Sequence, residues 1–283
     1  MMWIFNSVFG KIFELIFFPF LSMSPWIGMI LISFLTSLLM LFVFRFTSNQ
    51  KGIRQVKNKI KAHLLELRLF KDSLSLSLKA QGNILRYNLK YIGYSAKPLL
   101  VMIIPLILIL VQLNLWFGYD ALTPGQKTIL KVKLEEGNSP LNINLAIEPS
   151  SGFDIETPPL RIEEEREINW RLNAREKGVH DLILIATNQR LTKKVSIAQK
   201  PLSKISPLKV RRNFIDELLN PGESPFSGDL PIKTIELKYP AKNMNLFGWN
   251  IPWLWSIPPW LVIYFALSII FGFAFKGIFK VEI

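Results

Sequence analysis

The stretch KPLLVMIIPLILILVQLNLWFGYD, Lys97 to Asp120, encloses 22 consecutive residues without a charge. A run longer than about 18 apolar residues reads as a membrane-crossing helix, because only an internally hydrogen-bonded backbone survives in hydrocarbon. Two further runs flank it. Glu14 to Arg45 encloses 30 uncharged residues and Lys242 to Lys276 encloses 33. Across all 283 residues, half are hydrophobic and 19% are charged, against about 25% charged in soluble domains. A purely soluble protein is thereby excluded. Cysteine is absent, which excludes a disulfide scaffold and thiolate metal sites. Two histidines leave little for an imidazole site.

Charge orients these runs. Residues 45–97 carry 12 Lys/Arg against only Glu66 and Asp72, so most of the net charge of +13 sits in this one segment. Residues 120–242 are nearly balanced, with 19 basic and 17 acidic side chains. Short cytoplasmic loops are enriched in Lys and Arg. The segment 45–97 is therefore expected in the cytoplasm, with the N-terminus and residues 120–242 outside and the Lys276/Lys280 tail inside. The same excess would suit nucleic acid, but as a topology signal and a contact for anionic lipid head groups it needs no nucleic-acid partner.

Along the chain, residues 1–25 read as an outer interfacial helix. Val8, Ile12, Leu15 and Ile16 share one face, Phe5, Phe9, Phe13 and Phe17 make the other apolar, and Pro19 and Pro25 follow. A fourth span is the alternative, but this run is short and carries Lys11 and Glu14. No signal-peptide cleavage site is evident. A first span is expected over 26–46. Residues 47–96 predict a basic coiled hairpin, with Ile53, Val56, Ile60, Leu67, Phe70 and Leu74 at a and d positions, His63 in one d slot and a break at Asp72-Ser73. The second span is expected over 97–118, with Pro98 in its first turn and Pro105 as a kink.

Residues 119–245 change character. Six apolar/polar alternations, Thr128–Leu134, Leu141–Ile147, Phe153–Ile162, Glu167–Asn173, Val179–Thr187 and Leu191–Ala198, are punctuated by Gly, Pro, Asn and Ser. They predict an immunoglobulin-like β-sandwich with Trp170 in its core. A Pro-rich linker with a short helix at Asn213–Leu219 follows, then a last strand at Ile232–Tyr239. An aromatic interfacial segment is expected over 246–256, a third span over 257–276 with Gly272 allowing close helix approach, and a cytoplasmic tail over 277–283. The expected fold is thus an α-helical integral membrane protein, with three transmembrane helices and a cytoplasmic coiled hairpin, into which an extracytoplasmic immunoglobulin-like β-sandwich is inserted.

This order resembles the YidC/Oxa superfamily of membrane protein insertases, including its small three-span members. The resemblance rests on Asn49-Gln50-Lys51-Gly52-Ile53, on Lys57 and Lys59 through Leu67, and on Lys97-Pro98-Leu99-Leu100 with Ile104-Pro105. It covers about residues 1–118 and 250–283 and lies in element order more than in a sharp motif. Two departures stand out. About 130 residues are inserted between the second and third spans, where the family generally has a short link. Bacterial members carry a groove arginine within the first core span, whereas Arg45, the one candidate here, stands at its cytoplasmic end and is favoured as a positive-inside anchor.

The resemblance implies an insertase or intramembrane chaperone, which lowers the barrier for polar segments entering the bilayer without covalent chemistry. Candidate groove residues are Ser33, Thr36, Ser37, Arg45, Gln112 and Asn114. For Ser and Thr, ordinary helix–helix hydrogen bonding is an equal alternative. Gln112 and Asn114 need a partner in hydrocarbon, yet the expected orientation places them toward the outer leaflet. Candidate cytoplasmic contacts are Lys51, Arg54, Lys57, Lys59, Lys61 and Arg68. No Walker loop, HExxH, GxSxG or paired-carboxylate motif is present, and His63, His180 and the run Glu163–Glu165 read as structural. No enzyme activity, cofactor or metal is expected. Expected partners are membrane lipids, nascent or partner membrane proteins and a periplasmic protein on the β-domain. The alternative function is a non-catalytic subunit of a cell-envelope complex. A bacterial inner membrane fits best, since the outer domain has neither cysteine nor an Asn-X-Ser/Thr sequon.

Overall fold

The computed structural model describes residues 2–186, 189–198, 200–244 and 257–282. The chain forms two compact units. One takes residues up to Gly28 and from Leu108 to Trp260; the other takes Met29–Ile107 and Leu261 onward. Among the described residues, three helical segments are long and apolar enough to cross a membrane: Trp3–Phe20, Pro25–Thr47 and a part of Leu74–Phe117.

The unit built on Met29–Ile107 and the chain end is helical. Helix α2 (Pro25–Thr47) has 23 residues, about 35 Å at 1.5 Å per residue. Helix α3 (Gln50–Leu69) starts on an Asn49 cap, whose side chain accepts the Gly52 amide at 2.9 Å. A Cβ on Gly52 would lie 3.1 Å from the Tyr94 ring, so glycine lets the cap and the returning helix meet. The chain turns at residues 70–73, where Asp72-Ser73 predicts the break. The amide of Ser73 bonds the Phe70 carbonyl, and the Ser77 hydroxyl caps the same carbonyl. Gly82 interrupts nothing and faces open space.

Helix α4 (Leu74–Phe117) then runs 44 residues without a break. This corrects the expectation that the hairpin ends before Pro98 and a new helix starts there. Pro98 and Pro105 both lie inside α4. Each removes one backbone donor, a loss that long apolar helices tolerate. Their spacing of seven puts both on one helical face, where Pro98 is buried and Pro105 half-buried.

The hairpin seam closes only at its base. Ile53 and Val56 are buried, and Ile53 shares a cluster with Leu41, Phe44 and Val281. Farther out, His63 stacks on Tyr87 and bonds Glu66. At the tip, Leu69, Phe70 and Leu74 are exposed, so the regular heptad packing expected over the whole arm is confined to its first turns.

Helix α6 (Pro259–Phe275) has 17 residues, about 26 Å. It lies at the lower edge of what spans a ~30 Å core. The set of long apolar helices thus differs from expectation, with Trp3–Phe20 meeting the length and α6 falling short. Phe34 packs edge-to-face on Phe271 and Phe275, joining α2 to α6. The tryptophan-rich segment 246–256 lies outside the described residues, as does the turn at Asn188.

The other unit holds two antiparallel sheets. The first has order β3-β5-β1-β9-β8, with β4 also on β5. Its strands are β1 (Lys127–Leu134), β3 (Phe153–Ile155), β4 (Leu160–Ile162), β5 (Glu167–Ala174), β8 (Leu208–Val210) and β9 (Ile232–Leu237). The second has order β2-β6-β7, from β2 (Leu145–Ile147), β6 (Gly178–Ala186) and β7 (Gln189–Ile197). One hydrophobic cluster draws on both, with Leu130, Ile168 and Trp170 from the first and Leu182, Leu184 and Ile197 from the second. The single strand expected over Phe153–Ile162 is split, because Pro158-Pro159 cannot donate to a ladder. The stretch before Leu145 turns instead of pairing. Strand β8 is read only from the structure; flanked by irregular chain, three residues give no alternation.

The sheets enter and leave through a neck. Tyr119 bridges Ala241, the Asp120 amide bonds the Pro240 carbonyl, and the Lys242 amide bonds the Gly118 carbonyl. Lys242 and Asp120 pair at 3.2 Å. Helix α1 (Met2–Phe17) and a 3-10 turn at Phe18–Phe20 belong to this unit. They lie along residues 202–219. Asn6 donates to the Glu217 carbonyl at 2.5 Å, Glu14 pairs with Lys204 at 2.9 Å, and the Leu202 amide meets the Leu21 carbonyl. Helix α5 (Phe214–Leu219) supplies the first of these partners, as Asn213–Leu219 predicts.

Candidate functional site

A groove of about 390 Å³ is walled by α2, α4 and α6 within the helical unit. Its walls are chiefly Met, Leu, Ile and Phe side chains, with Thr36 and Ser37 on α2 and Tyr264, Ser268 and Gly272 on α6. On α6, positions 264, 268 and 272 recur every four residues and share a face. The same spacing joins Ser33 to Ser37 on α2. A Cβ on Gly272 would stand 3.5 Å from the Ser37 hydroxyl, so the two rows meet closely, as the sequence predicts for Gly272.

The hydroxyls carry the chemistry of this groove. Ser33 and Tyr264 are fully buried and Ser37 is 3% exposed. Among the described residues, the side-chain oxygens of Ser33, Ser37, Tyr264 and Ser268 have no hydrogen-bond partner. Tyr264 is within reach of Thr36 and Ser268 without closing a bond of normal geometry. A buried hydroxyl left unpaired costs about 1–3 kcal/mol. An arrangement that keeps several beside a cavity is suited to donating to a group that enters it.

Of the groove residues read from sequence, Thr36 and Ser37 line the cavity, whereas Ser33, one turn away on α2, is buried but does not line it. Arg45 is exposed at the end of α2 and does not line the cavity. Gln112 and Asn114 belong to the other unit. Gln112 is 1% exposed and lies against Gly10 of α1, where a Cβ would be 3.7 Å from its carbonyl oxygen and 3.5 Å from Lys204 Nζ. Its amide thus faces another helix. Asn114 is half-buried and packs on Gly118. Tyr264 and Ser268 are absent from the sequence-derived set. Their spacing with Gly272 was the available signal, masked by the surrounding apolar residues.

On the hairpin, Lys51, Arg54, Lys59, Lys61 and Arg68 are exposed. Lys57 instead holds the chain end, pairing with Glu282 at 3.3 Å, while the Gln50 side chain accepts the Glu282 amide at 2.7 Å. His180 stands near the start of β6, as expected, and contacts the Glu176 carbonyl at 2.9 Å. The run Glu163–Glu165 is an exposed turn. Among the described residues no His, Asp and Glu group could hold a metal ion.

A second polar cluster lies in the β-unit. The Lys193 side chain is wholly buried; its ammonium pairs with Glu223 and donates to the Ser206 carbonyl at 2.6 Å. Glu223 also accepts the Lys194 amide at 3.2 Å. Burial pushes the Lys193 pKa below the ordinary lysine value, against the pull of Glu223. Lys209, nearby and 8% exposed, donates to the Thr192 carbonyl. Burial pushes its pKa down as well, opposed by Glu223 and Asp181. The Tyr239 phenol accepts the Ser196 amide at 2.9 Å, and burial pushes its pKa up to about 12.

No protein-family model matches the chain, and comparison with curated proteins and with solved structures finds no significant match.

Proposed function

We propose that this chain is a membrane protein insertase or intramembrane chaperone of the YidC/Oxa type, receiving client helices in the groove of α2, α4 and α6. The supporting observation is the set of buried, unpartnered hydroxyls at Ser37, Tyr264 and Ser268 on an apolar wall. Hydrocarbon offers a polar group on a client helix no partner, at a cost of several kcal/mol. These hydroxyls offer one while the apolar wall receives the rest of the helix. The basic hairpin, on the cytoplasmic side by its charge, would meet clients or lipid head groups through Lys51, Arg54, Lys59, Lys61 and Arg68.

In this reading α1 lies in the outer interface. Its partners on residues 202–219 include Lys204 and a segment bearing Arg211, Arg212, Asp216 and Glu217. If α1 spanned the bilayer, that charged segment would be dragged into hydrocarbon. The β-unit reads as an immunoglobulin-like sandwich, supported by its two antiparallel sheets and shared core, and stands outside a bacterial inner membrane. The N-terminus is outside and the C-terminus in the cytoplasm.

A second reading, a non-catalytic subunit of an envelope complex with the β-unit as its binding module, is favoured by one observation. No charged side chain lines the groove, which suits a permanent apolar partner. Photo-crosslinking in living cells from positions 37 and 268, with Gln112 as a probe outside the groove, separates the two. Many different nascent membrane proteins on the groove probes and few at 112 would support the insertase. One partner in fixed ratio at 37 and 268 would make the groove a subunit interface.

A further inference from the structure

Within the β-unit, a cavity of about 240 Å³ is lined by Trp3, Thr192, Lys194, Lys209, Glu223 and Ser224. Its charges do not balance. Glu223 is already committed to Lys193 and to the Lys194 amide. Lys209 is 8% exposed, and among the described residues it has no carboxylate within ion-pair distance and one hydrogen-bond acceptor, the Thr192 carbonyl. An ammonium carries three donors, so two have no acceptor among the described residues. Asp181 is exposed and opposite Lys194 in the β6–β7 register, and it forms no salt bridge with either lysine. A buried cation without a salt-bridge partner is costly; Glu223 on the same wall and Asp181 act on Lys209 only beyond ion-pair distance, and a second ammonium, Lys194, stands beside it.

The rim identifies the kind of anion. Trp3 opens α1, and a helix-end tryptophan suits the head-group layer. From there Ile4, Val8, Ile12 and Leu15 run along α1 as a stripe on one face, all exposed, with Ile4 at 67% and Leu15 at 76%. The cavity therefore sits beside an exposed apolar face that an interfacial helix turns toward the acyl region. The hydroxyls of Thr192 and Ser224 on the wall add donors of the kind that tetrahedral oxyanions accept from.

We propose that this cavity binds the phosphate of an anionic membrane phospholipid, held by Lys209 and Lys194, with its acyl chains entering the bilayer beneath the exposed apolar face of the interfacial α1. The site would dock the β-unit on the membrane surface, and it is independent of what enters the groove.

The test uses the full-length protein in neutral detergent, with phosphatidylglycerol, phosphatidylcholine and inorganic phosphate as separate additions, read by native mass spectrometry and thermal unfolding. Two variants accompany it. Lys209→Met removes the unpaired buried charge and is expected to melt no lower than wild type without lipid. Lys194→Ala alters an exposed side chain. We expect phosphatidylglycerol to bind and to raise the melting temperature of wild type. Affinity should fall about tenfold or more in each variant, the loss of one charge-assisted contact. Equal phosphatidylglycerol binding by wild type and both variants would overturn the site. Stabilisation by inorganic phosphate that matches phosphatidylglycerol and is lost in both variants would overturn the lipid assignment. Equal binding of phosphatidylcholine would overturn the requirement for an anionic lipid.

Discussion

Replacing Glu223 with glutamine tests how the β-unit tolerates a charge in its interior. The Lys193 side chain is wholly buried and that of Glu223 is 6% exposed. Removing one partner of a buried pair typically costs about 3–5 kcal/mol, because the survivor is left charged in a poor solvent. Glutamine keeps an acceptor oxygen for Lys193, and the Ser206 carbonyl remains, so the lower end, about 3 kcal/mol, is expected. For a unit of this size that is a drop of roughly 6–12 °C in melting temperature, read by thermal unfolding in detergent. The deficit should depend on pH with a defined sign. A lysine whose folded pKa is depressed below 10.5 leaves the unfolded chain holding more protons between the two values. Stability therefore rises with pH through that window, and the deficit of Glu223→Gln should shrink as pH climbs toward 10.5. The double variant Lys193→Met/Glu223→Leu, which removes both charges, should recover most of the loss. A melting temperature for Glu223→Gln within about 2 °C of wild type, equivalent to 1 kcal/mol or less, would refute the reasoning.

Three further outcomes are expected. A Cβ on Gly152 would overlap the His180 ring at 2.2 Å, so Gly152→Ala should cost about 1–3 kcal/mol; His180→Ala in the same chain should recover much of it, and equal losses in both backgrounds would argue against the overlap. Tyr239, with its pKa moved from 10 to about 12, keeps its proton after the unfolded chain has lost it. It should therefore contribute about 3 kcal/mol that disappears between pH 10 and 12. Tyrosinate absorbance should show late-titrating phenol, of which one equivalent is missing in Tyr239→Phe. In the groove, Ser37→Ala with Ser268→Ala should leave the melting temperature unchanged or higher, because neither hydroxyl has a partner to lose; a drop of several degrees would mean these hydroxyls are bonded in the native protein.

Long-range organisation was legible where the chain carries a strong periodic or charge signal. The uncharged runs located α2, the apolar part of α4 and α6, the turn at Asp72-Ser73 separated the hairpin arms, and Trp170 was read correctly into the core. Local rules misled where neighbours override them. Pro98 reads as a helix start, but an apolar helix already committed on both sides absorbs one missing hydrogen bond. Leu69, Phe70 and Leu74 fit a heptad, yet a seam needs a facing helix close by, and closure stops near its base. The groove was half visible. Ser33, Thr36 and Ser37 show as polar positions in an apolar run, whereas Tyr264 and Ser268 sit in a helix whose aromatic richness hides them. Gln112 shows in the sequence as an amide that needs a partner, but periodicity within one helix cannot tell which neighbour it faces. Lys209 and Glu223 carry no pattern at all; only the fold brings them to one cavity.

The order of strands imposes a timetable on synthesis. Strand β1 lies at the middle of its sheet, between β5 and β9, but β9 follows it by roughly a hundred residues. At about 5–20 residues per second, β1 waits some 5–20 s for its second neighbour after leaving the ribosome. Throughout that interval one side of it is an open edge able to pair with any other extended chain. The neck at Tyr119 and Ala241 closes last of all, so α6 is made just as the β-unit becomes able to finish folding. A pause or truncation before Ile232 would leave not a smaller domain but an unfinished sheet with its central strand exposed.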